Sequence, residues 1–149
     1  TSRRQRQMCI RDSYYNDSIA SSPTRTIAGL RSFSEKVILI AGGYDKHIPY
    51  DVLGPEIVKS VKCLILTGAT SDKIQQATQQ APDYTPGNPE IRRCENLEQA
   101  VHTAHDVAQP GDVVILSPAS ASFDCFRNFE ERGNKFKQYV NALEGVTAH

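Results

Sequence analysis

Three short apolar runs, Val37–Ala41, residues 63–67 and Val113–Leu116, constrain this chain of 149 residues more than anything else in it. Each has almost no polar interruption, the pattern of a strand covered on both faces of a parallel sheet. Small turn residues follow each run, and apolar residues at helical spacing come after them. Strand, turn and helix repeated along one chain predict an α/β fold: a mainly parallel sheet with helices on both faces. Parallel neighbours require that arrangement, since each pair needs a crossover long enough to hold a helix. The length suits one such domain and is too short for two ordinary ones.

The remaining elements are weaker signals. Tyr14 and Tyr15 read as the end of a strand, and Asn16-Asp17-Ser18 as a turn. Ser22 suits an N-cap before Pro23, with Ile27, Leu30 and Phe33 at helical spacing. A helix is predicted over residues 50–60 with Leu53, Ile57 and Val58 inward, restarted after one turn by Gly54-Pro55. Another, capped by Thr70 or Ser71, should run until Pro82. Residues 91–94 read as a short strand. Residues 97–108 read as a helix with Leu97, Ala100, Val101, Ala104 and Ala108 on one face. In the last helix Phe126, Phe129, Phe136, Val140 and Leu143 point to the core, while Asn128, Glu130, Glu131 and Arg132 read as a solvated face.

Charge and cysteine usage exclude several classes. Basic and acidic residues balance at 17 each. Arg3, Arg4, Arg6 and Arg11 face only Asp12 within residues 1–13, so the rest is mildly acidic and carries no basic face for nucleic acid. Residues 1–13 fit neither periodicity, and RRQRQMCIRDS resembles translated sequencing-adapter remnants. A truncated gene product with non-native first residues is the expectation, a disordered basic tail the alternative. Cys9, Cys63, Cys94 and Cys125 lack the spacing of a zinc site or disulfide framework and read as free thiols. His102 and His105 lie three apart on a helix, without a third ligand in view. No run of about 18 apolar residues is present, so no membrane insertion is expected.

The chemistry concentrates in residues 112–133, DVVILSPASASFDCFRNFEERG. After the strand, SPASAS holds only Ser, Ala and Pro, so backbone amides and the hydroxyls of Ser117, Ser120 and Ser122 could approach a ligand. Ser122 and Asp124 suit the start of a helix. A strand end opening onto such a turn is where an open α/β sheet binds anions. By itself Ser122 is equally a cap. Gly42-Gly43 ends another strand ahead of Asp45 and Lys46, and GGYDKH lacks the GxxxxGK[ST] of a phosphate loop. Read alone, Lys46 is a solvated loop residue, and His47 a surface one.

LSPASASFDCFRNFEERG resembles the closing motif of the UDP-N-acetylmuramoyl-L-alanine:D-glutamate ligases, usually LSPACASFDxFxNFxxRG, with Ser120 in place of the family's Cys. YYNDSIASSPTRTIAGLRSF at 14–33 and ILIAGGYDKHIPYDVL at 38–53 agree in the same order. The resemblance covers most of residues 14–149 and implies the Rossmann-like C-terminal domain of a Mur ligase. It implies that Lys46, Ser122, Phe123, Phe129 and Ser21 face D-glutamate, and that Asp17 lies by the ATP ribose or metal waters. Ile19 stands where many relatives have Lys, so a phosphate contact is lost there.

The implied reaction is ATP-dependent amide formation in peptidoglycan precursor synthesis, joining D-glutamate to UDP-N-acetylmuramoyl-L-alanine. ATP and Mg2+ would be bound mainly by a central domain that this chain does not contain. No phosphate loop, metal-binding carboxylate cluster or counterpart of the family's carbamylated lysine is found here. The fragment is therefore expected to be inactive alone, with no catalytic residue of its own, and to come from a cytoplasmic, monomeric enzyme. Two alternatives stand beside it. One is a free-standing α/β binding or interaction module; the other is a related ligase for a different amino acid, against which the missing DNPR-type motif speaks. The ligase reading requires Lys46 and Ser122 to face a common cleft.

Overall fold

A computed structural model describes residues 13–18, 20–45, 47–109, 111–120, 126–143 and 147–148. Six strands form one sheet: β1 (Ser13–Asn16), β2 (Val37–Ala41), β3 (Val61–Leu66), β4 (Glu90–Arg93), β5 (Val113–Leu116) and β6 (Thr147–Ala148). Their spatial order is β4-β3-β2-β5-β1-β6, and every pairing is parallel. The helices between them are α1 (Pro23–Leu30), α2 (Leu53–Ser60), α3 (Ser71–Gln79), α4 (Leu97–Val107) and α5 (Phe129–Asn141). The expected α/β architecture is the one observed.

Alternation along the central strands divides the apolar residues between two layers. Val37, Leu39, Ala41, Val113 and Ile115 share a cluster with Leu30 of α1, Leu53 and Ile57 of α2, and Ile74 of α3. Ile38, Ile40, Val114 and Leu116 face the other way, against Leu97, Val101 and Ala104 of α4 and Phe136 and Val140 of α5. At about 25 cal/mol per Å2 of apolar surface, these two layers supply the main favourable term of the fold. On the first layer Glu56 is buried and accepts from Arg31 Nε at 3.0 Å and from Ser60 Oγ at 2.6 Å. Burial works against its charge, yet the bonds from Ser60 and Arg31 together hold its carboxyl below the ordinary value, which ties α2 to the end of α1.

Several boundaries differ from expectation. Helix α2 begins at Leu53 instead of Tyr50, because Tyr50 to Val52 form a turn closed by Leu53 N–H to Tyr50 O at 2.9 Å. Pro55 then sits in the first turn, where its missing N–H costs no bond. Strand β3 starts at Val61, which pairs with Val37 across a register shift. Strand β4 lies one residue before the expected 91–94, its Glu90 pairing Cys63. The last helix carries Phe136 and Val140 inward, but Phe129 is 39% exposed and Phe126 only half-buried.

The direction of the connections locates the site. From β2 the chain leaves through α2 on one face, whereas from its neighbour β5 it leaves towards α5 on the other. A crevice at the carboxyl ends of two such strands is where open α/β sheets take ligands.

Candidate functional site at the carboxyl ends of the sheet

Three turns converge there. The one after β1 continues the ladder, with Asp17 N–H donating to Leu116 O at 2.8 Å, and is closed by Ala20 N–H to Asp17 O at 3.0 Å. After β2, Gly42 has φ of +110° and its N–H donates to Pro118 O at 2.9 Å. A Cβ at Gly42 would collide with the Thr67 carbonyl oxygen, so only glycine fits this crossing point. After β5, Ser117 N–H donates to Ile40 O at 3.1 Å and Ala119 N–H to Ala20 O at 2.9 Å. Ala119 is buried at φ +57°, a left-handed conformation that costs a non-glycine residue on the order of 1 kcal/mol.

The hydroxyls of Ser117 and Ser120 turn to partners inside the fold, not outward to a ligand as expected. Ser117 and Ser120 are both fully buried. Ser117 Oγ lies 2.8 Å from Asp17 Oδ2 and 3.1 Å from Thr26 Oγ1, and Thr26 Oγ1 donates to the Ser117 carbonyl at 3.2 Å. Ser120 Oγ is 2.9 Å from Tyr50 OH and 2.8 Å from Thr70 Oγ1. A short polar side chain in a crowded turn finds internal partners first, since a buried hydroxyl left unbonded is costly.

Asp17 is half-buried at the end of β1. Burial pushes its carboxyl above the ordinary value, against the opposing pull of the Ser117 hydroxyl and the Arg25 charge. Ser21 lies four residues on, half-buried, in the segment leading to Pro23. Phe129 begins α5; its carbonyl accepts Ser18 Oγ at 2.7 Å while its ring stays partly exposed. Lys46, Ser122 and Phe123 lie outside the described residues, as does Ile19. Asp45 is ion-paired with Lys73 at 2.7 Å and accepts His47 N–H at 2.7 Å, and these bonds lower its carboxyl pKa.

Arg132 overturns the expectation of a solvated face. It is 4% exposed, and its guanidinium spans two turns: Nε to Ser18 Oγ at 2.9 Å, Nη2 to Ser18 O at 2.7 Å and Nη1 to Ser120 O at 2.9 Å. Asn128, expected on the same face, is exposed as expected and also caps α5 by accepting Glu131 N–H at 2.8 Å. Gly133 was the available signal. A mid-helix glycine costs about 1 kcal/mol relative to alanine, and here a Cβ would press on the Asn16 side chain, 2.7 Å from Nδ2. A glycine there marks α5 as pressed against β1, which buries its neighbour Arg132. Tyr50 and Thr70 carried no comparable signal.

Beside these turns a cleft of about 200 Å3 opens on the α4 and α5 side, lined by Gly42, Gly43, Gly68, Leu116, Phe126 and Arg132 among others. Asp17, Ser21 and Phe129 are not in its lining. Among the described residues no three His, Cys, Asp or Glu side chains gather as a metal site, and no helix is long and apolar enough to cross a membrane. Burial pushes the Cys63 thiol up to about 11, so it is no nucleophile at neutral pH.

Residues 3–120 match the family described as Mur ligase, glutamate ligase domain. The chain belongs to that family. This Mur ligase domain is 61% identical over 133 residues to the UDP-N-acetylmuramoylalanine–D-glutamate ligase of Acetivibrio thermocellus, covering 88% of this chain and 28% of that one. It is 55% identical over 130 residues to the ligase of the same name from Clostridium novyi, covering 87% and 28%. It therefore spans little more than a quarter of the length of these relatives. Among solved structures, a murein peptide ligase from Psychrobacter arcticus has the same fold, with a TM-score of 0.55 at 13% identity over 93% of this chain and 30% of the other.

Proposed function

We propose that this Mur ligase domain holds D-glutamate for an ATP-dependent ligation to UDP-N-acetylmuramoyl-L-alanine. The observation that carries the reading is the 61% identity to a ligase of that name across 88% of the chain. In this reaction the substrate carboxylate is phosphorylated by ATP. The D-glutamate amine then attacks the carbonyl carbon, the C–O bond to phosphate breaks, and the amine gives up a proton as the amide forms. Lys46 pairs with the amino acid's carboxylate, a task suited to a flexible ammonium. Ser122 supplies a hydroxyl, Phe123 and Phe129 wall the pocket, and Ser21 faces the same ligand.

Asp17 is assigned to the nucleotide. A half-buried carboxylate with one oxygen already fixed by Ser117 is a directed acceptor for a ribose hydroxyl. ATP supplies the phosphoryl group, and Mg2+ travels with its phosphates, held mainly by parts of the longer relatives that this chain does not span. What this domain contributes is position. Holding an amine at its target removes much of the entropic barrier to attack. The complete enzyme is read as a cytoplasmic monomer.

A chimera tests the assignment: this chain replaces the matching segment of the A. thermocellus ligase. D-glutamate-dependent ADP release should be retained, and its loss in a folded chimera would sink the proposal. Lys46→Ala in that chimera should raise KM for D-glutamate at least about tenfold, the scale of losing a charge-assisted hydrogen bond, with little change for ATP. Equal effects on both substrates would remove Lys46 from the amino-acid site.

A further inference from the structure

Thr70 stands at the N-cap of α3, yet its side chain makes no capping bond. An N-cap threonine ordinarily adds about 1 kcal/mol to its helix, so turning the hydroxyl away forgoes stabilisation of that order. The hydroxyl is used elsewhere. Thr70 Oγ1 accepts Gly43 N–H at 3.0 Å, while Thr70 N–H donates to Gly43 O at 3.1 Å, a two-point grip on the turn after β2. The same oxygen is 2.8 Å from Ser120 Oγ in the turn after β5, and Ser120 Oγ is 2.9 Å from Tyr50 OH before α2. Thr70 and Ser120 are fully buried and Tyr50 is 3% exposed.

A dry chain of three hydroxyls and one amide is satisfied at only one relative placement of the segments that carry it, and breaking it strands polar groups away from water. The segments it joins lead directly into Lys46 on one side and Ser122 on the other. We propose that Thr70 is a positioning residue for the amino-acid half of the site: through Gly43 and Ser120 it fixes the distance between these two segments without touching the ligand. The proposal rests on the reading that Lys46 and Ser122 hold D-glutamate.

Thr70→Val in the chimera keeps the shape and deletes Oγ1. KM for D-glutamate should rise about tenfold, as expected for one stranded buried donor at a site that depends on geometry, while KM for ATP stays within about twofold. Thr70→Ser restores the oxygen and should restore KM. A lower Tm with both Michaelis constants unchanged, or both raised together, would show a structural role only and overturn the proposal. Should Thr70→Val fail to fold, Tyr50→Phe removes a single oxygen from the end of the chain and carries the same contrast: a selective rise for D-glutamate supports the proposal and none overturns it. Failure of the underlying reading looks different, because the unmutated chimera would then lack D-glutamate-dependent turnover, and this proposal would fall with it.

Discussion

Asp17 shows how a residue proposed to bind a ligand can weigh against the fold that presents it. Its folded pKa lies above the ordinary carboxylate value because burial outweighs the Ser117 hydrogen bond and the Arg25 charge. The charged form is thus disfavoured in the folded state. The penalty is absent below the ordinary carboxylate value, grows as pH rises through the raised folded value, and is fully present at neutral pH. Asp17→Asn should therefore stabilise the fold at neutral pH, by no more than about 1 kcal/mol once partial exposure is allowed for. Thermal melts across pH should show the advantage closing in acid; an advantage independent of pH would count against burial as the cause. In the chimera the same change should weaken ATP, the usual opposition between stability and function at a binding site.

Elements that bury an unbroken apolar stripe were legible in the sequence. Strands β2 and β5 and helix α4 came out within a residue of expectation, because their side chains alone decide which way they face. The start of α2 was not legible, since Tyr50 to Val52 form a turn closed by Leu53 N–H to Tyr50 O and nothing in the apolar spacing marks it. The site was legible only as a location. Which serines are taken up by the fold depends on partners that lie 50 to 114 residues away in the chain. Helix α5 offers a test at this scale. Gly133→Ala would gain about 1 kcal/mol of helix propensity, but the new methyl meets an Asn16 side chain already anchored by Ser18 N–H at 3.0 Å. Overpacking of this kind costs about 1–3 kcal/mol, so denaturant melts should show a net loss, opposite in sign to the gain in an exposed helix.

Across the whole molecule, β5 is the element on which the rest closes. It pairs with β2 on one side and β1 on the other, and its following turn contacts those of both neighbours. A variant ending at residue 112 keeps four of the six strands but leaves facing edges of β1 and β2 without partners. Hydrogen exchange should find the β2 amides of that variant unprotected on the β5 side; native-like protection there would mean that β2 and β1 can close the sheet without it. The strand order also bears on how the protein is made. A ribosome delivers β1 to β4 before β5, so the nascent polypeptide must keep its central slot open while some seventy residues emerge between β2 and β5. Until the last quarter of the chain arrives, two bare strand edges are offered to any passing segment, and a cell making this domain has reason to shield them.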